Sequence, residues 1–184
     1  VTAIILIGAP GTGKSAIVAE LAQRGWNAAD VDSVIAARHG MSLNDFYVLI
    51  DQNVRNDSIR AELHAFFDDI ESEPEHLWAL AIPSDGLGVA LDDDFADIRE
   101  RLKRLPDAAI VNLSADLSTL VTRNGLIGPR SATMVMPRKE FRLMLADRKP
   151  VYDEVATHEY DTTNKSVSES AEAIISLVLP DISR

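Results

Sequence analysis

Apolar residues fall in short unbroken runs separated by longer mixed segments. Runs at Ala3–Ile7, Trp26–Asp30, Leu77–Ile82 and Ala108–Leu113, with a weaker one near Glu159–Thr162, predict five strands. Strands without polar alternation fit a sheet buried on both faces. Helical patterns lie between them at Ser15–Arg24, Val34–His39, Arg55–Ile70, Phe95–Leu105, Asp116–Arg123, Lys139–Ala146 and Ser168–Leu179. Alternation of this kind gives a five-stranded parallel sheet with helices on both sides, a three-layer α/β/α architecture. Ligands of such sheets bind at the carboxyl ends of the strands. The segment 124–137 carries two glycines, two prolines and no clear period, and is expected to be a mobile lid.

Length and composition narrow the class. A chain of 184 residues without repeat or linker fits a single domain, 1–184, with a sizeable core. No apolar run is long enough to cross a bilayer, and the chain enters the first strand at once, so neither a membrane partner nor a signal peptide is expected. Cysteine is absent, which excludes disulfides and thiolate metal sites and leads us to expect a cytoplasmic enzyme. His39, His64, His76 and His158 are scattered without ligand-like spacing. The net charge of −11 argues against a nucleic-acid partner. Seven of the 18 Lys and Arg residues nevertheless fall between Arg123 and Lys149, where only Glu140 and Asp147 are acidic. Such a stretch is either a solvated helix face or a place where anionic ligands sit.

The most specific motif lies between the first strand and the first helix. Residues 8 to 15 read Gly-Ala-Pro-Gly-Thr-Gly-Lys-Ser, a complete phosphate-binding G-x-x-x-x-G-K-S loop. Gly8, Gly11 and Gly13 let the backbone wrap an anion, and the amides of Gly11, Thr12, Gly13, Lys14, Ser15 and Ala16 point at it. Lys14 is expected to reach the β- and γ-phosphates, and the Ser15 hydroxyl to ligate Mg²⁺. The ligands implied are therefore a nucleoside triphosphate and Mg²⁺.

Asp30 and Asp32 close the second strand. With Val31 pointing the other way in an extended chain, both carboxylates are expected on one side. One could hold a metal-bound water and the other orient or deprotonate a hydroxyl. Such a pair also serves as a turn and helix cap. Arg55, Arg123, Arg130 and Arg148 are candidate cations for phosphate or for a substrate carboxylate.

Together these residues resemble the shikimate kinase family over nearly the whole chain. Asp30-Val31-Asp32 stands where the family has Asp-x-Asp, and Gly40-Met41-Ser42-Leu43-Asn44-Asp45-Phe46-Tyr47 is similar to its Gly-x-Ser-Ile-x-Asp-Ile-Phe. Val54-Arg55 matches a Phe-Arg pair, and Arg148-Lys149-Pro150-Val151-Tyr152-Asp153-Glu154-Val155-Ala156 an Arg-x-Pro-Leu-Tyr-x-Glu-Val-Ala run. Asp161-Thr162-Thr163-Asn164 resembles the family's last strand and adenine-side loop. The resemblance implies a P-loop fold of the nucleoside monophosphate kinase type and transfer of the ATP γ-phosphoryl to the 3-hydroxyl of shikimate. It implies Asp32 as the base, Asp30 holding Mg²⁺ through water, and Arg55 and Arg148 gripping the substrate carboxylate. It also implies Arg123 flanking the adenine and Arg130 stabilising the transferring group from the lid.

Three features depart from the family pattern. Three consecutive glycines after the third strand are replaced by Ile82-Pro83-Ser84-Asp85-Gly86-Leu87-Gly88. The lid Arg-Pro is Pro129-Arg130, and Ser58 stands where a glutamate follows the helical arginine. All fall on the acceptor side or the lid. The expectation is a monomeric, small-molecule kinase of the shikimate kinase type. The alternatives are a kinase of this fold for another hydroxy acid or polyol, or a nucleotide-binding regulatory homologue without transfer activity.

Overall fold

The computed structural model describes residues 1–124 and 138–179. Its centre is an all-parallel sheet in the order β2-β3-β1-β4-β5, formed by β1 (Ala3–Gly8), β2 (Asn27–Asp30), β3 (Trp78–Ala81), β4 (Ala108–Ser114) and β5 (His158–Asp161). The strands β1, β3 and β4 are largely apolar on both faces because both are covered, whereas the outer β2 and β5 are partly exposed. Ala3, Ile5 and Ile7 of β1 enter one core with Trp78, Leu80 and Ile110, while Ile4 and Leu6 enter the other with Ala79, Ala81 and Val111. The second core is closed by α1 (Lys14–Gln23) through Ile17, Val18 and Leu21 and by α8 (Val167–Val178) through Ala171, Ile174 and Val178.

The first core is closed by α2 (Val31–Arg38), α3 (Leu43–Leu49), α4 (Gln52–Ser72), α5 (Ala96–Arg104) and the end of α7 (Arg138–Val155). The remaining helix, α6 (Leu117–Arg123), packs Leu120 and Val121 on Phe141 of α7. From β1 the chain crosses towards β2 and β3 on one side and later towards β4 and β5 on the other. The crevice this leaves at the carboxyl end of β1 is the switch point at which such sheets bind ligands.

Two elements differ from the sequence expectation. The short helix α3 has a local signal, since the Ser42 hydroxyl accepts from the Asp45 amide, but seven residues give little periodicity. The helix expected to end at Ala146 continues as α7 to Val155, through Pro150. Burial of Val151, Tyr152 and Val155 in the first core, with the Lys149–Asp153 ion pair one turn apart, outweighs the hydrogen bond that proline cannot make. Of the expected lid, only Asn124 falls within the described residues; 125–137, with Arg130, lie outside them.

Candidate active site

The loop between β1 and α1 is braced from behind. Thr12 Oγ1 donates to the Ala9 carbonyl at 2.9 Å. Gly11 has φ +83°, and a Cβ there would lie 2.5 Å from Asn124 Nδ2, so neither the backbone nor the space admits a side chain. Asn124 is placed by donating to the Pro10 carbonyl at 2.8 Å. Arg123 donates to the Gly11 carbonyl at 3.2 Å and, through its two terminal nitrogens, to Thr162 Oγ1 at 2.9 Å and the Thr162 carbonyl at 3.0 Å. Buried Thr162 lies 2.9 Å from the Thr12 carbonyl. The sequence-selected Arg123 thus joins the loop to the turn after β5; Asn124 was not singled out, and it carries no motif that would have shown it.

Lys14, the first residue of α1, folds its ammonium back over the loop. It donates to the carbonyls of Gly8 (2.6 Å) and Ala9 (3.1 Å) and to Ser84 Oγ (3.0 Å) beyond β3. Burial lowers its pKa to about 8, against the opposing charges of Asp32 and Asp30. Ser15 and Ala16 are exposed in the first turn of α1, where unpaired amides and the helix dipole favour phosphate.

Asp30 and Asp32 reach the same crevice by a different route from the one the sequence suggests. They do not alternate on a strand. β2 stops at Asp30, which has φ −88° and ψ 107°, and Val31 starts α2, so Asp32 lies in the first helical turn. Burial of Val31, Ile35 and Ala36 in the first core starts the helix that early. The charges of both carboxylates still act on Lys14. Tyr47 of α3 donates its hydroxyl to Asp32 Oδ1. Burial pushes the Asp32 carboxyl up to about 6; the Tyr47 bond opposes this, and the charges of Asp30 and Asp85 add to it. Burial and the Asp32 charge push the Tyr47 phenol well above its ordinary value, so it is a neutral donor. Tyr47 entered the sequence reading only as part of a matching segment.

Another wall of the crevice is built by the segment after β3 and by α7. Arg148 and Tyr152, four residues apart on one face of α7, both donate to the Ser84 carbonyl, at 3.3 and 2.8 Å. A cavity of about 170 Å³ adjoins them, lined by Gln52, Asn56, Asp85, Gly88, Val89, Asp93, Asp94, Phe95 and Arg148. Arg55 does not line it. Its Nη1 donates to the Tyr47 and Ile50 carbonyls at the end of α3, and Nε is buried with no partner among the described residues. Behind the cavity Arg99, 1% exposed, donates to Asp93 (3.0 Å), Glu154 (2.9 Å) and the carbonyls of Leu87 (2.7 Å) and Leu91 (2.6 Å). The sequence reading missed Arg99, Ser84 and Asp85 as functional neighbours, although the departure from the family's glycines marked their segment.

No family model matches the chain. Shikimate kinase of Streptomyces coelicolor is 30% identical over 182 residues, covering 95% of this chain and 94% of that protein. The chain belongs to the shikimate kinase family. Shikimate kinase of Streptococcus gordonii is similarly 30% identical over 175 residues, covering 92% of this chain and 96% of that one. The fold matches that of shikimate kinase from Acinetobacter baumannii with a TM-score of 0.79 at 21% identity, over 100% of this chain and 96% of that one. As a member of the shikimate kinase family the protein is an ATP-dependent phosphotransferase with an alcohol acceptor.

Proposed function

We propose that the protein transfers the γ-phosphoryl group of ATP to the 3-hydroxyl of shikimate, releasing ADP, the 3-phosphate ester and a proton. The observation that carries this reading is the convergence of Lys14, Asp32, Ser84 and Arg148 at the carboxyl ends of β1, β2 and β3. The A. baumannii protein of the same fold was solved in complex with shikimate, which supports the acceptor.

The roles follow from position and chemistry. Gly8, Gly11, Thr12, Gly13, Ser15 and Ala16 cradle the phosphates with backbone amides, and Lys14 leaves the Gly8 and Ala9 carbonyls for the β- and γ-phosphates. The Ser15 hydroxyl and the Asp30 carboxylate are hard oxygen donors of the kind Mg²⁺ takes beside nucleotide phosphates and water. When bound, that ion neutralises charge developing on the phosphates. Asp32 accepts the proton of the reacting hydroxyl; its raised pKa suits a group that must take up a proton near neutrality. Arg148, and Arg55 once released from the end of α3, hold the carboxylate of the acceptor. Arg123 flanks the adenine, and Arg130, outside the described residues, stabilises the transferring group as the lid 124–137 excludes water. The enzyme works as a monomeric single domain in the cytoplasm. Among the described residues no helix is long and apolar enough to cross a membrane.

Asp32→Asn tests the assignment. It should keep Mg·ADP binding while lowering shikimate-dependent ADP formation by at least about 100-fold. Unchanged turnover would remove Asp32 from its role. A second reading, another carboxylated polyol as acceptor, is favoured by the Ile82-Pro83-Ser84-Asp85 segment and is separated from the first by a panel of such acceptors.

A further inference from the structure

The segment that replaces the family's glycines is held rigidly. Ile82 and Leu87 are buried, and Pro83 has no N–H to offer a ligand. Two consecutive turns follow, with the Gly86 amide donating to the Pro83 carbonyl at 2.8 Å and the Gly88 amide to the Asp85 carbonyl at 3.0 Å. Tyr152 and Arg148 hold the Ser84 carbonyl from α7. At the far end Gly88 has φ +88°, and a Cβ there would lie 2.2 Å from Asp93 Oδ2. Asp93 is itself pinned by Arg99 and by the Val89 amide at 2.7 Å. A backbone anchored at both ends fixes the place from which a side chain projects.

Asp85 is that side chain. It is partly exposed and lines the 170 Å³ cavity with Gln52, Asn56 and Arg148. None of the hydrogen bonds or ion pairs among the described residues engages its carboxylate, whereas the neighbouring Asp93 is neutralised by Arg99. Asp85 directly follows Ser84, whose hydroxyl accepts from Lys14, and the Asp85 charge is felt at Lys14, Asp32 and Tyr47, so the cavity lies beside the reacting groups. An ionised carboxylate only accepts hydrogen bonds. Where the family presents glycine backbone, this chain therefore presents a hydrogen-bond acceptor on an anchored backbone.

Resting on the proposed transfer to a carboxylated polyol, we infer that Asp85 is a specificity-determining residue that accepts a hydrogen bond from a second donor group of the acceptor molecule. That donor is a hydroxyl or an ammonium group, distinct from the hydroxyl that is phosphorylated. Arg148 takes the anionic end of the acceptor and Asp85 a donor elsewhere on the molecule. A molecule without that donor leaves the carboxylate facing it desolvated and unpaired, which is the kind of mismatch that polar sites reject strongly.

The test compares kcat/KM for shikimate with that for its 4-deoxy and 5-deoxy analogues and for the matching amino analogues, in wild type and in Asp85→Ala. Mg·ADP affinity serves as the control for folding. Wild type should prefer shikimate over one deoxy analogue by at least about 10-fold, and Asp85→Ala should reduce that preference to within about 2-fold with Mg·ADP affinity unchanged. Higher kcat/KM for an amino analogue than for shikimate in wild type would identify the donor as ammonium; the reverse order, a hydroxyl. A deoxy preference that persists in Asp85→Ala overturns the inference while leaving the proposed function in place. Wild type that turns over none of these acceptors overturns both.

Discussion

The hydroxyl of Tyr47 donates to the carboxylate of Asp32, tying α3 to the first turn of α2 across the mouth of the crevice. Asp32 is partly buried and its charge is costly there, so the bond holds a group that would otherwise face the crevice poorly solvated. A hydrogen bond to a charged group contributes about 1.5–3 kcal/mol. Tyr47→Phe should lower the free energy of unfolding by that order, read from urea denaturation. In an Asp32→Asn background the same change should cost measurably less, a coupling of at least about 0.5 kcal/mol. Additive effects would show that the two side chains do not act on one another.

Arg99 of α5 joins the 87–93 loop to Glu154 of α7. Asp93 and Glu154 are partly exposed and keep other donors, the amides of Val89, Ala90 and Phe95 for one and Lys103 for the other, so loss of the guanidinium costs about 1–3 kcal/mol. Arg99→Met should lose stability on that scale and should raise the KM for the acceptor more than the KM for ATP, because the loop it holds borders the cavity proposed to take the acceptor. A loss below about 1 kcal/mol in chemical denaturation would contradict the role assigned to it.

Asp93 gives a pH signature. Burial alone would raise its carboxyl, but the Arg99 guanidinium and the amides of Val89, Ala90 and Phe95 outweigh this and hold it below the ordinary carboxylate range. A carboxylate whose pKa is lower folded than unfolded adds stability above its unfolded value of about 3.9. That contribution is lost as the pH falls through the lower folded value. Asp93→Asn should therefore be less stable than wild type at neutral pH, with the gap closing below about pH 4. A gap that stays constant from pH 6 down to pH 2.5 would exclude the linkage.

The phosphate loop tolerates no side chain at Gly11. Gly11→Ala combines a positive φ with overlap on Asn124, and should weaken Mg·ADP binding by about 10-fold or more. Shortening Asn124 to Gly in the same chain should recover only part of the loss, since the backbone strain remains. Full recovery by calorimetry would assign the whole effect to the contact.

The layered sheet was legible because β1, β3 and β4 are buried on both faces and so read as unbroken apolar runs. The nucleotide side was legible because its chemistry lies in one contiguous stretch, Gly8 to Ser15. The expected alternation of Asp30 and Asp32 on a strand does not occur: tertiary burial of Val31 starts a helix where local pattern suggested continued strand. Proline at 150 hid the second half of α7, whose packing, not its propensity, sustains it. Tyr47 and Arg99 make contacts between distant segments and Asp85 lines a cavity built from several, and no local spacing marks them. Arg55 is engaged with the end of α3, a short helix that the sequence barely signals.

The measurement that tests the account most directly is ADP release from Mg·ATP by purified protein, with and without shikimate, beside a Lys14→Ala variant of equal stability. The account predicts strong stimulation by shikimate in wild type, stoichiometric with formation of the phosphate ester, and none in Lys14→Ala. Wild type that binds ATP but shows no stimulation, or a Lys14→Ala variant that retains it, would contradict the proposed transfer.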